Sequence, residues 1–206
     1  MELERQDSTG FEMVPVSEVP DKVAQEAIKT IIRTIGDDPD REGLLDTPKR
    51  VVKSWKELFG GYQKDPKEIL GVTFKEGVDK VDQLVICKDI EFYSTCEHHM
   101  LPIIGIAHVA YIPDEKVVGL SKLARLVDVF ARRLQIQEKM TKQIADSLME
   151  NLKPKGVGVI VTAKHFCMCA RGVGKQSSSM TTSEMLGVLR EKPEARAELL
   201  KLIEMK

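Results

Sequence analysis

The sequence predicts an α+β protein with a mainly antiparallel sheet and paired helices, preceded by N-terminal helices. Between residues 21 and 59, apolar residues recur at three- and four-residue steps, as in amphipathic helices. Residues 83–93 and 103–112 are rich in β-branched and aromatic side chains, and residues 157–163 and 180–183 repeat that pattern. Helical spacing returns between the two pairs of strands. The resulting order is helices, two strands, two helices, two strands and a closing helix.

The N-terminal part divides into two segments. Residues 1–16 are polar and irregular, and we interpret them as a flexible N-terminal arm. Residues 17–70 form a helical region, in which one helix begins near Asp21 and ends at Gly36. Thr47 is a predicted N-cap for the second helix, and Pro48 occupies its first helical position.

Residues 71–206 form the predicted domain that contains the sheet. Ser121 is a predicted N-cap of its first helix, and residues 123–134 supply the apolar face. Gln137 begins the second helix, which Pro154 and the glycines after it interrupt. A last helix begins at Pro193 and closes the chain.

Charge and composition exclude two classes of protein. The 206 residues carry a net charge of −1, so a globally basic nucleic-acid binder is not indicated, and any anionic ligand needs a local cluster of cations. No apolar run approaches the roughly 18 residues that span a bilayer, and the N-terminus lacks the apolar region of a secretory signal. We therefore expect a cytoplasmic protein without membrane contact.

Two clusters of cysteine and histidine indicate a metal site. Cys96, His98 and His99 form the first, and His165 and Cys167 belong to the second, together with Cys169. Cysteines are not expected to form disulfides in a reducing compartment, and Cys and His are the ligands that zinc prefers. A catalytic zinc site needs three protein ligands and one open position.

Residue types alone leave alternatives open. Cys96, His99, Cys167 and Cys169 could instead make a closed structural site with four ligands, and an extended segment would turn His165, Cys167 and Cys169 to one face. Cys87 and His108 lie within predicted strands, where packing roles are expected.

Cations suited to a polyphosphate lie on predicted helices and one loop. Lys122 and Arg125 share a helix face, as do Arg50 and Lys53, and Arg171 follows the second cysteine cluster. Taken singly, each fits an ordinary solvated surface. The carboxylate of Glu138 can accept two donors, such as the guanine N1–H and amino group, or it can complement the helix dipole.

Several motifs together resemble the GTP cyclohydrolase I family. They are Ser-Thr-Cys-Glu-His-His at 94–99, Gly-Leu-Ser-Lys at 119–122, Gln-Ile-Gln-Glu at 135–138, His-Phe-Cys-Met at 165–168, Arg-Gly at 171–172 and Thr-Thr-Ser at 181–183. They occur in the family's order over nearly the whole chain.

The resemblance implies a reaction and a set of roles. GTP and water would give 7,8-dihydroneopterin triphosphate and formate, the first step of pterin (folate or biopterin) biosynthesis. One Zn²⁺ per subunit would be held by Cys96, His99 and Cys167, with Fe²⁺ as an alternative. The catalytic residues would be His98, His165, Ser121 and Gln137. Glu138 would bind guanine, and the triphosphate would contact Arg50, Lys53, Lys122, Arg125 and Arg171.

The resemblance also implies architecture and assembly. It predicts the T-fold, or tunnelling fold, and a homodecamer of two pentamers with sites between subunits. A zinc-stabilised scaffold of the same fold and a nucleic-acid zinc module are the competing hypotheses. The scaffold would need neither His98 nor His165, and the near-neutral charge speaks against nucleic acid.

Overall fold

The computed structural model describes residues 19–74 and 83–205. The arm predicted at residues 1–16 lies outside these ranges. The helices are α1 (Asp21–Thr34), α2 (Thr47–Leu58), α3 (Pro66–Leu70), α4 (Leu120–Ala131), α5 (Gln137–Leu152), α6 (Phe166–Cys169), α7 (Val188–Glu191) and α8 (Pro193–Glu204). The strands are β1 (Thr73–Phe74), β2 (Val85–Cys96), β3 (Pro102–Ile112), β4 (Val117–Val118), β5 (Leu134–Gln135), β6 (Gly156–His165) and β7 (Met180–Gly187).

The main sheet has the order β5-β2-β3-β6-β7. The pairs β2–β3, β3–β6 and β6–β7 are antiparallel, and the short β5 runs parallel to β2. Helices α4 and α5 follow β3 in the chain and precede β6. This sequential antiparallel sheet with two helices inserted at its middle confirms the predicted α+β class and the T-fold.

The core lies between α4, α5 and one face of the sheet. Phe130 of α4 and Ile144 of α5 are fully buried and share a hydrophobic cluster with Phe92, Val109 and other strand residues. The opposite face of the sheet is less covered, as the exposed fractions of two neighbouring residues show: Tyr93 is 56% exposed and Phe92 is 1% exposed. This alternation follows from the two-residue period of a strand. Helices α1 and α2 lie near that second face, and a groove there is lined by Ile28, Trp55, Tyr93 and other apolar residues.

The register of the strands defines two ends of the sheet. Thr95 pairs with Pro102, and Ile103 pairs with His165, so β2 and β6 finish at one end. We call this the site end. Ile112 pairs with Gly156 at the other end, which we call the far end. The 11 residues of β3 separate the two ends by about 30 Å.

Two predicted helix caps were wrong. Helix α4 has Gly119 as its N-cap and begins at Leu120, so Ser121 is already helical. Helix α2 has Asp46 as its N-cap, and Thr47 is its first residue. Neither cap residue uses its side chain, so the polar side chains that favoured Thr47 and Ser121 do not set these boundaries.

Candidate metal centre and active site

The sheet register brings the two cysteine and histidine clusters together at the site end. Cys96 is the last residue of β2, and β6 ends at His165 two residues before Cys167. The parallel pair of β2 and β5 places Cys96 opposite Gln135, so helix α5 begins beside the same end. Cys96 and Cys167, which are 71 positions apart in the sequence, therefore meet because β2, β3 and β6 are neighbours.

Cys96, His99 and Cys167 form a compact group of metal-ligating atoms. One ligand atom from each lies within 4.8 Å of the others. The Nδ1 atom of His99 lies 4.0 Å from the Cys96 sulfur. Burial raises the pKa of the Cys167 thiol, and the neighbouring Cys96 adds to the increase. Two thiols and one imidazole this close fit a divalent metal, which would favour the thiolates that burial disfavours.

The chain does not bring Cys169 into this group. Residues 166–169 form a helical turn, α6, instead of the extended segment that would have aligned His165, Cys167 and Cys169. The Cys169 sulfur instead lies 3.5 Å from the Lys175 carbonyl oxygen. The described ligand group thus has three members, as an open catalytic site requires.

The predicted proton-transfer histidines both lie beside the group. The Nδ1 atom of His98 is 3.9 Å from the Cys96 sulfur, and the rings of His98 and His99 are 6.3 Å apart. His165 is half-buried, which lowers its pKa below the usual histidine value, and the negative charge of Glu138 opposes part of that decrease. Glu138 itself is exposed in the first turn of α5.

Gln137 connects His165 to the interior. Its side-chain oxygen lies 2.8 Å from Nε2 of His165. Its amide nitrogen donates to the carbonyl oxygens of Val161 and Met180 at 3.0 and 3.1 Å. Only 1% of Gln137 is exposed. The structure therefore places this predicted catalytic residue behind His165.

The predicted cations separate into three locations. Arg171 is next to the metal-ligating group, where its Nη1 donates to Nε2 of His99 at 2.9 Å. Arg50 and Lys53 lie exposed on α2, and Arg50 is paired with Asp46 at 3.0 Å. Lys122 and Arg125 lie on α4.

Ser121 and Lys122 lie in the first turn of α4, and Arg125 lies one turn further on, near the middle of the helix. Strand β3 reaches the far end of the sheet at Ile112, and α4 begins eight residues later. The helix then returns for about 18 Å to β5 at the site end. Arg125 lines a small pocket beside Asp65 and Glu68. Ser121 and Lys122 therefore lie at the end of α4 that is remote from β5.

Two threonines belong to the site although no role was predicted for them. Thr141 donates to the Gln137 backbone carbonyl at 2.7 Å, and Thr182 lies 2.7 Å from the Thr141 hydroxyl oxygen. The four-residue step from Gln137 to Thr141 on a helix was the available signal. The partner strand of Thr182 could not be inferred from local spacing.

Two packing predictions are confirmed. Cys87 is half-buried against the core, and burial raises the pKa of its thiol. His108 is buried, and its Nδ1 accepts the backbone N–H of Asp89 at 3.2 Å. Asp89 has a positive φ of 55° at a register shift between Cys87 and Ile90. The ring of His108 thus accepts a backbone N–H that the irregular pairing of the strands leaves without a partner in the sheet.

In the described part of the chain, no helix combines the length and the apolar character that a bilayer crossing requires. Fold and site together define a T-fold protein whose sheet end carries a Cys–His–Cys group suited to a metal, flanked by two further histidines. The sequence profile of the family described as GTP cyclohydrolase I matches residues 24–204. The chain belongs to the GTP cyclohydrolase I family and is an enzyme with that family's function.

Individual relatives agree with this membership. A protein of Wolinella succinogenes named GTP cyclohydrolase 1 is 60% identical over 176 residues, which cover 85% of this chain and 93% of the relative. A protein of Brucella canis with the same name is 55% identical over 180 residues, covering 87% and 84%. Among solved structures, the archaeosine synthase QueF-Like in its apo form aligns with a TM-score of 0.43 at 19% identity, over 51% of this chain and 94% of that one.

Proposed function

We propose that the protein hydrolyses GTP to 7,8-dihydroneopterin triphosphate and formate with one Zn²⁺ per subunit, held by Cys96, His99 and Cys167. The observation that carries this proposal is the convergence of these three side chains within 4.8 Å, beside His98 and His165. Two thiolates and an imidazole suit zinc, and the same ligands would also accept Fe²⁺. When bound, zinc would supply Lewis acidity and lower the pKa of a water molecule toward about 7.

The histidines supply the proton transfers of the reaction. C8 of guanine is a poor electrophile, so addition of water there is assisted when N7 gains a proton. His98 and His165 are suited to this role because an imidazole exchanges protons near neutral pH. Burial lowers the pKa of His165, so its protonated form is a stronger proton donor than an ordinary histidine.

Guanine is oriented by Glu138. Its carboxylate is exposed in the first turn of α5 and close enough for its charge to act on His165. A carboxylate that accepts from guanine N1–H and the amino group would contact the edge of the base that lies opposite C8 and N7. The base would then lie with its reacting atoms toward the histidines.

The triphosphate is bound by cations from more than one copy of the chain. Arg171 lies at the metal-ligating group, whereas Lys122 and Arg125 lie in the N-terminal half of α4, together with Ser121. A second copy could present the start of its α4 to the site end of the first copy. Its Lys122 and Arg125 would then join Arg171, and Arg50 and Lys53 would complete the set of five predicted triphosphate-binding cations. We therefore propose a homo-oligomer, with a decamer of two pentamers as the specific assembly, in the cytoplasm.

The experiment that tests this function mixes metal-loaded protein with GTP and follows two products. We expect reduced-pterin absorbance to rise together with formate, and a chelator to abolish both, because the open metal position is needed for hydrolysis. A folded protein with stoichiometric zinc that forms neither product would contradict the proposal. Sedimentation at the same protein concentration would measure the assembly independently.

A further inference from the structure

The side-chain amide of Gln137 has an orientation that its surroundings determine. Its nitrogen lies 3.0 Å from the Val161 carbonyl oxygen and 3.1 Å from the Met180 carbonyl oxygen. Carbonyl oxygens only accept hydrogen bonds, so the NH₂ group must face them. The amide oxygen therefore points the other way, toward His165.

The neighbouring threonines agree with this orientation. Thr141 uses its hydroxyl hydrogen to donate to the Gln137 backbone carbonyl at 2.7 Å. The hydroxyl of Thr182, 2.7 Å from that of Thr141, must then donate to it. The Thr182 oxygen is left as a third acceptor, 3.1 Å from the Gln137 amide nitrogen, whose two hydrogens are shared among it and the two carbonyl oxygens. In the opposite orientation the amide oxygen would face three oxygen atoms that have no hydrogen to give it.

The orientation of the Gln137 amide determines which nitrogen of the His165 imidazole carries a hydrogen. The Gln137 oxygen lies 2.8 Å from His165 Nε2, and an amide oxygen can only accept. Nε2 must carry a hydrogen to make this bond. In the neutral ring, Nδ1 then holds the lone pair.

We propose that Gln137 is a positioning residue that holds the His165 ring with a hydrogen on Nε2, so that Nδ1 is the nitrogen that meets the substrate. This inference rests on the proposed function for the use of His165. It changes the role predicted for Gln137 from catalysis to positioning, because an amide that is 1% exposed and bonded to Val161, Met180 and His165 does not reach the substrate. Partners of this kind fix both the tautomer and the direction of a histidine ring.

The direct test is magic-angle-spinning ¹⁵N NMR of zinc-loaded protein labelled at its four histidines. The His165 signals are assigned by their loss in His165→Asn. We expect the hydrogen on Nε2 in the unmodified protein, and a loss of that preference in Gln137→Met. In steady-state kinetics, Gln137→Met should lower kcat about 10- to 100-fold and leave KM within about threefold. A hydrogen on Nδ1 in the unmodified protein, or an unchanged signature in Gln137→Met, would overturn the proposal.

Gln143→Met is the matched control. Gln143 is a buried glutamine on the same helix, 6% exposed, and it bonds to Gln135 at 2.9 Å instead of to a histidine. We expect this variant to lose stability while keeping the His165 signature and kcat. An equal change at His165 would show that Gln137 acts only through packing. Correct NMR signals in a protein that forms no pterin would refute the proposed function and leave the hydrogen position established.

Discussion

The two ends of the main sheet differ in how far one chain completes a site. At the site end, strands β2 and β6 and helix α5 bring Cys96, Cys167 and Gln137 together, and His99 and His165 complete the arrangement. Toward the far end, Lys122 lies in the first turn of α4 and Arg125 one turn later, beside the acidic residues of a small pocket, and the described residues there form no comparable metal-ligating group.

This difference separates two kinds of chemistry. Metal ligation and proton transfer need distances fixed to a few tenths of an ångström, and a sheet with continuous hydrogen bonding can hold them. Charge neutralisation of a triphosphate tolerates longer and more flexible side chains, which a second subunit can supply. We infer that the first function is encoded within a chain and the second between chains.

The largest expected effects come from the site end. Cys167→Ala should lose zinc and lower kcat/KM by about 10³-fold or more, since a metal contributes several kcal/mol of transition-state stabilisation. His98→Ala should retain zinc and lower kcat by about 10²- to 10⁴-fold, as expected for a general acid or base. Bound zinc per chain and turnover are measured on the same preparations.

Cys169→Ser is the control for this pair, because Cys169 lies outside the ligand group and contacts the Lys175 carbonyl. It should keep both zinc and activity. Loss of zinc in His98→Ala would make His98 a ligand, and stoichiometric zinc in Cys167→Ala would refute the proposed ligand set. Either result would break the assignment of the site end.

Local patterns predicted the elements of both ends, but not the relations between them. Periodicity identified the helices and strands, and the motifs identified Cys96 and Cys167 as candidate ligands. The turn at α6 was missed, because Phe166–Cys169 carries no cap or periodic signal, and its helical form is what turns Cys169 away. The register of β6 with β7, which places Thr182 beside Gln137, depends on contacts distant in sequence.

A smaller effect should appear at Arg171, the cation nearest the metal-ligating group. Its guanidinium donates to Nε2 of His99, whereas a neutral His99 bound to metal through Nδ1 would carry its hydrogen on Nε2. We therefore expect Arg171 to release His99 in the zinc-loaded protein, where its guanidinium would be free to contact the triphosphate. Arg171→Met should tighten zinc binding about three- to tenfold and raise KM for GTP about tenfold. Competition with a chelator and steady-state kinetics measure the two values.

Arg50→Met serves as the comparison, since Arg50 is exposed on α2 and paired with Asp46. It should leave zinc affinity unchanged and raise only KM. Weaker zinc binding in Arg171→Met would mean that Arg171 orients His99 for metal binding. It would contradict the expectation that Arg171 leaves His99 for the triphosphate when zinc binds.

The smallest expected effect is on stability. It concerns His108, which lies in the middle of β3 and belongs to neither end of the sheet. Burial lowers the pKa of His108, the charge of Asp89 opposes that decrease and Lys88 adds to it. A protonated ring could not accept the Asp89 N–H through Nδ1. Above pH about 6.5, His108 is neutral in both folded and unfolded chains and contributes no pH dependence. Below that value the unfolded chain binds the proton more readily, so the free energy of unfolding falls as pH falls, until the folded form is protonated as well.

His108→Gln tests this contribution, because an amide oxygen can still accept the Asp89 N–H but does not titrate. Unfolding free energies from urea titrations at one protein concentration should decline less steeply below pH 6.5 in the variant. The difference in slope cannot exceed about 1.4 kcal/mol per pH unit, the limit for one proton. Protonation of the metal ligands affects both proteins alike, so the difference between the two curves isolates His108. Parallel curves would show that His108 titrates equally in both states and that its burial has no effect on acid stability.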